Sequence, residues 1–340
     1  MRADIDLDVK QKTFATGLLP ELLAVLQRSG PGDLVGVIAD DASIGPELET
    51  WCRFTGNTLL EATIENGRPR WIFRSGAIPT EDNRPVGSRL WLYTNFDCNL
   101  RCDYCCVRSS PTAPRRELGL ERVQRIAREA MQLGVKEIFV TGGEPFLLED
   151  IGEILVACAA AAPTTVLTNG MLFTGRRAET LRALPRDRVV LQISLDSATP
   201  EGHDLHRGSG TWARTREGIQ IARALGFRVR LAATVSTDAE AGEFRQFLDQ
   251  EKIAEEDRVV RRIALRGAAS EGVALTRTDL VPEITITAEG VYWHPVGAED
   301  NDLLVTRDIF PLSESFAAVR RAFDREREHA NKLARIFNCA

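Results

Sequence analysis

Four of the chain's seven cysteines, Cys98, Cys102, Cys105 and Cys106, crowd into one short segment. The first three are spaced Cys-x3-Cys-x2-Cys in "CNLRCDYC". Thiolates are soft ligands, and three of them can hold three irons of a cubane cluster. The fourth iron then keeps an open position, where a substrate or cofactor can bind. A structural zinc site would need a fourth ligand, and none of the chain's 4 histidines is near this segment in sequence. A ferredoxin-type cluster would need a fourth cysteine, and Cys106 is too close to Cys105 for both to reach separate irons of one cubane. The spacing therefore favours a [4Fe–4S] cluster with an open iron. Cys106 can pack as a small, apolar-tolerant thiol, donate hydrogen, carry sulfur or touch the cluster. The sequence leaves those roles open.

Three more segments end strand-like runs. "TGGEP" (Thr141–Pro145) carries Gly142 and Gly143, which lack a Cβ and let backbone approach a ligand closely. "LTNG" places Asn169 at the end of the next run. "ISLDSATPEGHDLHRGSGTW" places Ser194 and Asp196 at the end of a third, followed by His203, His206 and Arg207 in the loop. A hydroxyl and a carboxylate at the C-terminal end of a strand suit a ribose diol. The two histidines are read as ordering that loop. His294, in "YWHP", lines a substrate pocket or lies on a hairpin surface.

The elements that position these residues follow from the periodicity. From residue 89 onward, runs such as "RLWLYTNF", "VKEIFVTG" and "RVVLQISLD" alternate with helical stretches such as "GLERVQRIAREAMQLG". Repeated β-α units imply a parallel sheet with helical crossovers. Six units, over 89–270, suit a partial (β/α)6 TIM-like barrel, with chemistry at the C-terminal strand ends. Residues 1–75 read as a separate two-layer α/β domain of order β-α-β-α-β-β, its hairpin turning at Asn66–Gly67. A linker is expected at 76–88. Residues 271–340 form a C-terminal extension: a hairpin turning at Glu289–Gly290, then a long charged helix.

The 340 residues suffice for a substantial core, and a composition of 44% hydrophobic and 27% charged residues is that of an ordinary globular chain. The net charge of −6 argues against a nucleic-acid-binding surface. No stretch approaches the ~20 apolar residues of a membrane span, and the N-terminus lacks a signal-peptide core. A cytoplasmic location with reduced thiols is expected.

Cys-x3-Cys-x2-Cys directly after a strand is the signature of the radical S-adenosylmethionine (SAM) superfamily, which this chain resembles over about residues 89–240. The resemblance implies a [4Fe–4S] cluster on Cys98, Cys102 and Cys105. It implies a methionine-binding segment at Gly142, Gly143, Glu144 and Pro145. Ser194 and Asp196 would face the SAM ribose and carboxylate, with Asn169 nearby and Arg207 contacting the carboxylate or ordering the loop. The implied chemistry is reductive cleavage of SAM to a 5′-deoxyadenosyl radical that abstracts hydrogen. An electron donor such as flavodoxin or ferredoxin is implied as a partner. The post-strand loop is similar to that of peptide-maturing relatives, which favours a peptide or protein substrate. A small molecule linked to sulfur or cofactor metabolism is favoured by the tail, where Cys339 is the one cysteine after Cys158, so a protein-ligated auxiliary cluster is not expected there. The alternative from another class is a non-catalytic iron–sulfur redox or electron-transfer protein.

The N-terminal domain resembles the TusA-like sulfur-carrier family, but Leu19 stands before Pro20 where that family has its reactive cysteine. A docking or substrate-presenting role toward a protein partner is expected there, with Cys52 a buried helix residue.

Overall fold

The computed structural model describes residues 2–26, 29, 32–54, 57–75 and 85–336. Most of the expected linker, and Cys339, lie outside them. The chain divides into two compact units, Met1–Pro85 and Val86–Ala340.

In the first unit, β1 (Ile5–Lys10), α1 (Leu18–Leu26), β2 (Leu34–Ala39), α2 (Ile44–Phe54), β3 (Thr58–Glu65) and β4 (Arg68–Arg74) follow one another along the chain. The sheet order is β1-β2-β4-β3, with β1 parallel to β2 and the other pairs antiparallel. The turn from β3 to β4 works because Asn66 and Gly67 both adopt positive φ, 52° and 82°, the twist a two-residue hairpin needs. Val35 and Val37 on β2 pack with Leu18 and Leu22 of α1 and Leu48 of α2, forming a two-layer core. Cys52 is buried on α2, and burial pushes its thiol up to about 12, which keeps it protonated and inert.

The second unit is built on a sheet of order β10-β9-β8-β7-β6-β5-β11-β12-β13. Six strands run parallel: β5 (Arg89–Tyr93), β6 (Glu137–Thr141), β7 (Thr164–Thr168), β8 (Val189–Ser194), β9 (Val229–Val235) and β10 (Arg258–Arg262). The helices between them are α3 (Leu120–Gln132), α4 (Ile151–Ala161), α5 (Gly175–Ala183), α6 (Pro200–Arg207), α7 (Thr211–Ala224) and α8 (Asp238–Gln250). Strands covered on both faces read as continuous apolar runs, and Ile138, Phe139 and Val140 of β6 are all buried. α3 turns Val123, Ile126, Ala127 and Ala130 inward at helical spacing.

The stretch after residue 270 extends this sheet. β11 (Thr285–Thr287) lies parallel to β5, with Thr285 opposite Trp91. β12 (Gly290–Tyr292) and β13 (Leu304–Thr306) continue it antiparallel. Trp91 Nε1 donates to Glu283, and Arg89 pairs with both Glu137 and Glu283. The final helix, α9 (Leu312–Ile336), buries Phe316 and Val319 along one side. Among the described residues no helix is long and apolar enough to cross a membrane.

Candidate active site

A cavity of about 200 Å³ opens at the C-terminal ends of the parallel strands. Its walls include Tyr93 of β5, Thr141 of β6, Thr168 of β7, Ser194 of β8, Thr234 of β9 and Arg261 of β10. In a flat sheet, β5 and β10 would stand roughly 24 Å apart at about 4.8 Å per strand. That both line one small cavity requires the sheet to curve.

The cysteine loop leaves β5 and forms one wall. Cys98, Cys102, Cys105 and Cys106 all border the cavity. Backbone donors already point at two of the sulfurs: Leu100 N–H at Cys98 Sγ (3.4 Å) and Ser109 N–H at Cys105 Sγ (3.3 Å). Burial pushes the Cys98 thiol up to about 12 and the Cys102 thiol up to about 11. Such thiols stay neutral until a metal displaces their protons. The loop is held from outside as well. Cys98 N donates to Ser110 O (3.2 Å), Asp103 N to His206 O (3.3 Å) and Ala268 N to Cys105 O (2.8 Å). Gly267 lies so close that a Cβ there would be 2.2 Å from Cys105 O.

Gly142 and Gly143 border the cavity, and the structure adds a second reason for them. A Cβ on Gly143 would stand 2.1 Å from the Asp97 carbonyl oxygen, and one on Gly142 2.2 Å from Asn95 Oδ1. The chain entering the cysteine loop lies directly on the two glycines. Gly143 N donates to Asn95 O and Glu144 N to Asp97 O, both at 3.0 Å.

Glu144 and Pro145 are buried, and neither borders the cavity. The Glu144 carboxylate accepts from Phe146 N (3.0 Å), Thr168 Oγ1 (2.8 Å) and Asn169 N (2.8 Å), tying the end of β6 to the end of β7. Burial raises its carboxyl above the ordinary range, even against those three donors.

Asn169 borders the cavity with its side chain engaged: Nδ2 donates to Asn99 Oδ1 (2.7 Å), and Oδ1 accepts from Met171 N (3.0 Å). Ser194 also borders it. Asp196 is buried and does not border the cavity. Its carboxylate accepts from Arg207 Nε (2.5 Å), Thr234 N (3.0 Å) and the Tyr104 hydroxyl. Burial works against its charge, yet Arg207 outweighs burial and the carboxyl lies below the usual range. Asp196 thus anchors Arg207 and Tyr104, and those two carry its influence into the cavity wall.

His203 and His206 lie on α6 and not in a loop, and each ties that helix to a neighbouring segment. His203 Nδ1 accepts from Asp196 N (3.1 Å), and His206 Nδ1 faces the Asp103 carboxylate at 3.0 Å. Burial holds His203 down to about 4, so its ring is neutral. His294 accepts from Val296 N (3.1 Å) and does not border the cavity. Cys106 packs with Tyr93, Phe96 and Val107 at the cavity edge.

Tyr104 was missed by sequence reasoning although it stands inside the cysteine motif, where an aromatic between two ligands is itself a signal. Arg261 and Gly267 carry no such local signal, because only the closure of the fold brings them to the cysteine loop.

Among the described residues, no group of three or more His, Cys, Asp or Glu side chains converges on a single-ion site. Three thiols spread around one cavity suit a cluster, in which each takes a different iron. No carboxylate borders the cavity, so soft sulfur ligands dominate the donor set. The residues fit a [4Fe–4S] cluster with a bound cofactor beside it.

Residues 92–248 match the Radical SAM superfamily. The family that these residues match uses a [4Fe–4S] cluster and SAM. Curated relatives match part of this chain. The AdoMet-dependent heme synthase of Methanosarcina barkeri is 36% identical over 141 residues, 41% of this chain and 40% of that protein. The antilisterial bacteriocin subtilosin biosynthesis protein AlbA of Bacillus subtilis is 36% identical over 143 residues, 41% of this chain and 31% of that protein. The probable GTP 3′,8-cyclase of Archaeoglobus fulgidus is 35% identical over 141 residues, 42% of this chain and 46% of that protein. The match therefore spans less than half the length of each of these relatives. Among solved structures, anSMEcpe with bound AdoMet superposes with a TM-score of 0.53 at 11% identity, covering 67% of this chain and 79% of that one. It shares the fold of mixed α/β layers around a parallel sheet.

Proposed function

We infer that this chain is a radical SAM enzyme whose curved sheet is a partial barrel around the reaction site. The observation that carries the reading is the convergence of Cys98, Cys102 and Cys105 on one cavity walled by Gly142, Gly143, Asn169 and Ser194. Bound there, the cluster and SAM supply one-electron cleavage of a sulfonium C–S bond and a carbon radical able to abstract hydrogen. The chain's own residues do the rest. The three thiolates fix the cluster and leave one iron open. The glycines hold the cysteine loop against the end of β6. Ser194 presents a hydroxyl for the ribose, and Arg207, pinned by Asp196, sets a fixed cation beside Cys102. The enclosed wall keeps water from a reactive intermediate.

An external donor such as flavodoxin or ferredoxin supplies the electron. The substrate is a peptide or protein, or a small molecule, and the relatives include both kinds: a bacteriocin biosynthesis protein and a GTP cyclase. The first unit is proposed as a docking domain for a protein partner.

The test is anaerobic reconstitution with iron and sulfide, addition of SAM and dithionite, and detection of 5′-deoxyadenosine by mass spectrometry. Product is expected from the wild type and not from a Cys98→Ala/Cys102→Ala/Cys105→Ala variant. A protein that holds its cluster yet makes none, even with cell extract as a substrate source, would be an iron–sulfur redox carrier instead.

A further inference from the structure

The cavity wall has an unusual charge balance. The chain carries a net charge of −6, yet no Asp or Glu borders the cavity and three arginines do: Arg207, Arg261 and Arg262. Two of them are already neutralised. Arg207 is paired with Asp196, and Arg262 with Asp238 at 2.8 Å. Arg261 is different. Its one polar contact among the described residues is Nε donating to Thr234 Oγ1 at 3.4 Å, and no carboxylate answers it. Cys106 and Tyr93, which also line the cavity, both feel its positive charge.

Arg207 and Arg261 stand at different points of the wall, Arg207 beside Cys102 and Arg261 toward Cys106. Arg207 stands beside Cys102 and supplies the cation nearest the cysteine ligands. Arg261 projects from β10, at the far edge of the parallel strands, where the wall continues through Ala264, Pro295 and Val296. Arg261 is exposed at the mouth of the cavity, and a guanidinium there with no carboxylate against it is free to meet an anion entering the site. Its planar fork matches a carboxylate or a phosphate equally well.

We propose that Arg261 is the substrate anchor of this cavity, and that the substrate carries a carboxylate or phosphate group which Arg261 grips while the reacting carbon faces the cofactor. This rests on the radical SAM reading and narrows it to anionic substrates. Thr234, which accepts from Arg261 Nε and donates its backbone N–H to Asp196, fixes the guanidinium relative to the cofactor end.

The experiment measures binding to reconstituted, cluster-loaded full chain by calorimetry, with succinate and inorganic pyrophosphate as separate probes. SAM binding is measured in parallel by equilibrium dialysis. The wild type should bind one of the two probes. Arg261→Ala should weaken that binding tenfold or more, which corresponds to about 1.4 kcal/mol, and Arg261→Lys should restore part of it. Preference for succinate assigns a carboxylate substrate, and preference for pyrophosphate a phosphate one. SAM affinity should stay within twofold in both variants. Loss of SAM affinity in Arg261→Ala would show that the guanidinium holds the cofactor's own carboxylate and would overturn the proposal. So would equal probe binding by wild type and Arg261→Ala, or no binding of either probe. A wild type that takes up iron and binds a probe through Arg261 but does not bind SAM would instead remove the radical SAM reading and leave the anion site standing.

Discussion

Replacing Gly143 with alanine adds one methyl group, and the structure gives the consequence in numbers. The new Cβ would lie 2.1 Å from the Asp97 carbonyl oxygen, 2.6 Å from its carbon and 2.9 Å from the Phe96 oxygen. All three are backbone atoms, so no side chain can swing away. Restoring ordinary contact requires the strand ends to part by roughly 1 Å, at an overpacking cost of about 3 kcal/mol. The same movement strains the 3.0 Å bonds from Gly143 N and Glu144 N to Asn95 O and Asp97 O, adding about 1 kcal/mol. A total near 4 kcal/mol in a unit of this size lowers the melting temperature by roughly 10 °C. Because Asp97 immediately precedes Cys98, the displaced segment is the one that aims the first cluster ligand. Iron bound after anaerobic reconstitution should fall with stability, and the two are read by calorimetry on the apoprotein and by iron assay. Gly242→Ala is the control, since a Cβ on that α8 residue meets nothing within 4 Å. If Gly143→Ala melts and binds iron like Gly242→Ala, the account of the glycine pair is wrong.

Further outcomes follow from the same contacts. Arg207→Met leaves the Asp196 carboxylate buried beside Tyr104 without its counter-charge, and should cost about 3–5 kcal/mol by denaturant titration; an unchanged midpoint would refute the pairing. Tyr104→Phe removes only the hydroxyl donor to Asp196, so about 1–2 kcal/mol is expected in the same assay. His203 and His294 are both held down to about 4 by burial, against an ordinary value of 6.5. Their neutral forms belong to the fold, so stability is fully present above pH 6.5 and falls as pH drops toward 4. Between pH 7.5 and 5.5 each should remove about 1.3 kcal/mol, and a His203→Gln/His294→Gln variant that keeps the whole slope would sink this assignment. Ser194→Ala, at a cavity-facing hydroxyl, should weaken SAM binding three- to tenfold in equilibrium dialysis with little change in melting temperature.

The cysteine motif and the alternation of strands with helices were legible in the sequence because both are local. Cys98, Cys102 and Cys105 lie within one loop, and a parallel strand declares itself by an apolar run such as that around Ile138. Side-chain direction was less legible. Glu144 and Asp196 sit beside cavity residues in sequence, yet each turns its carboxylate inward, because a buried charge must collect donors and the strand ends offered them. A one-dimensional pattern gives the position of such a residue and not its partners. The places of Arg261 in the wall and of Gly267 against Cys105 were invisible for another reason: they exist only after residues far apart in sequence are brought together by the fold.

The addition of β11 to the edge of β5 also sets an order of assembly. Trp91 and Glu283, which meet there, are 192 residues apart in the chain. At ribosomal speeds of about 5–20 residues per second, β5 emerges tens of seconds before the strand that will cover it, and the loop with all three cluster cysteines emerges with it. During that interval the nascent chain exposes an unpaired strand edge next to unshielded thiols. The β11–β12 hairpin arrives late, and its docking both seals the edge and places Pro295 and Val296 in the cavity wall. A chain truncated before residue 280 would keep that strand edge and the cysteine loop open to solvent.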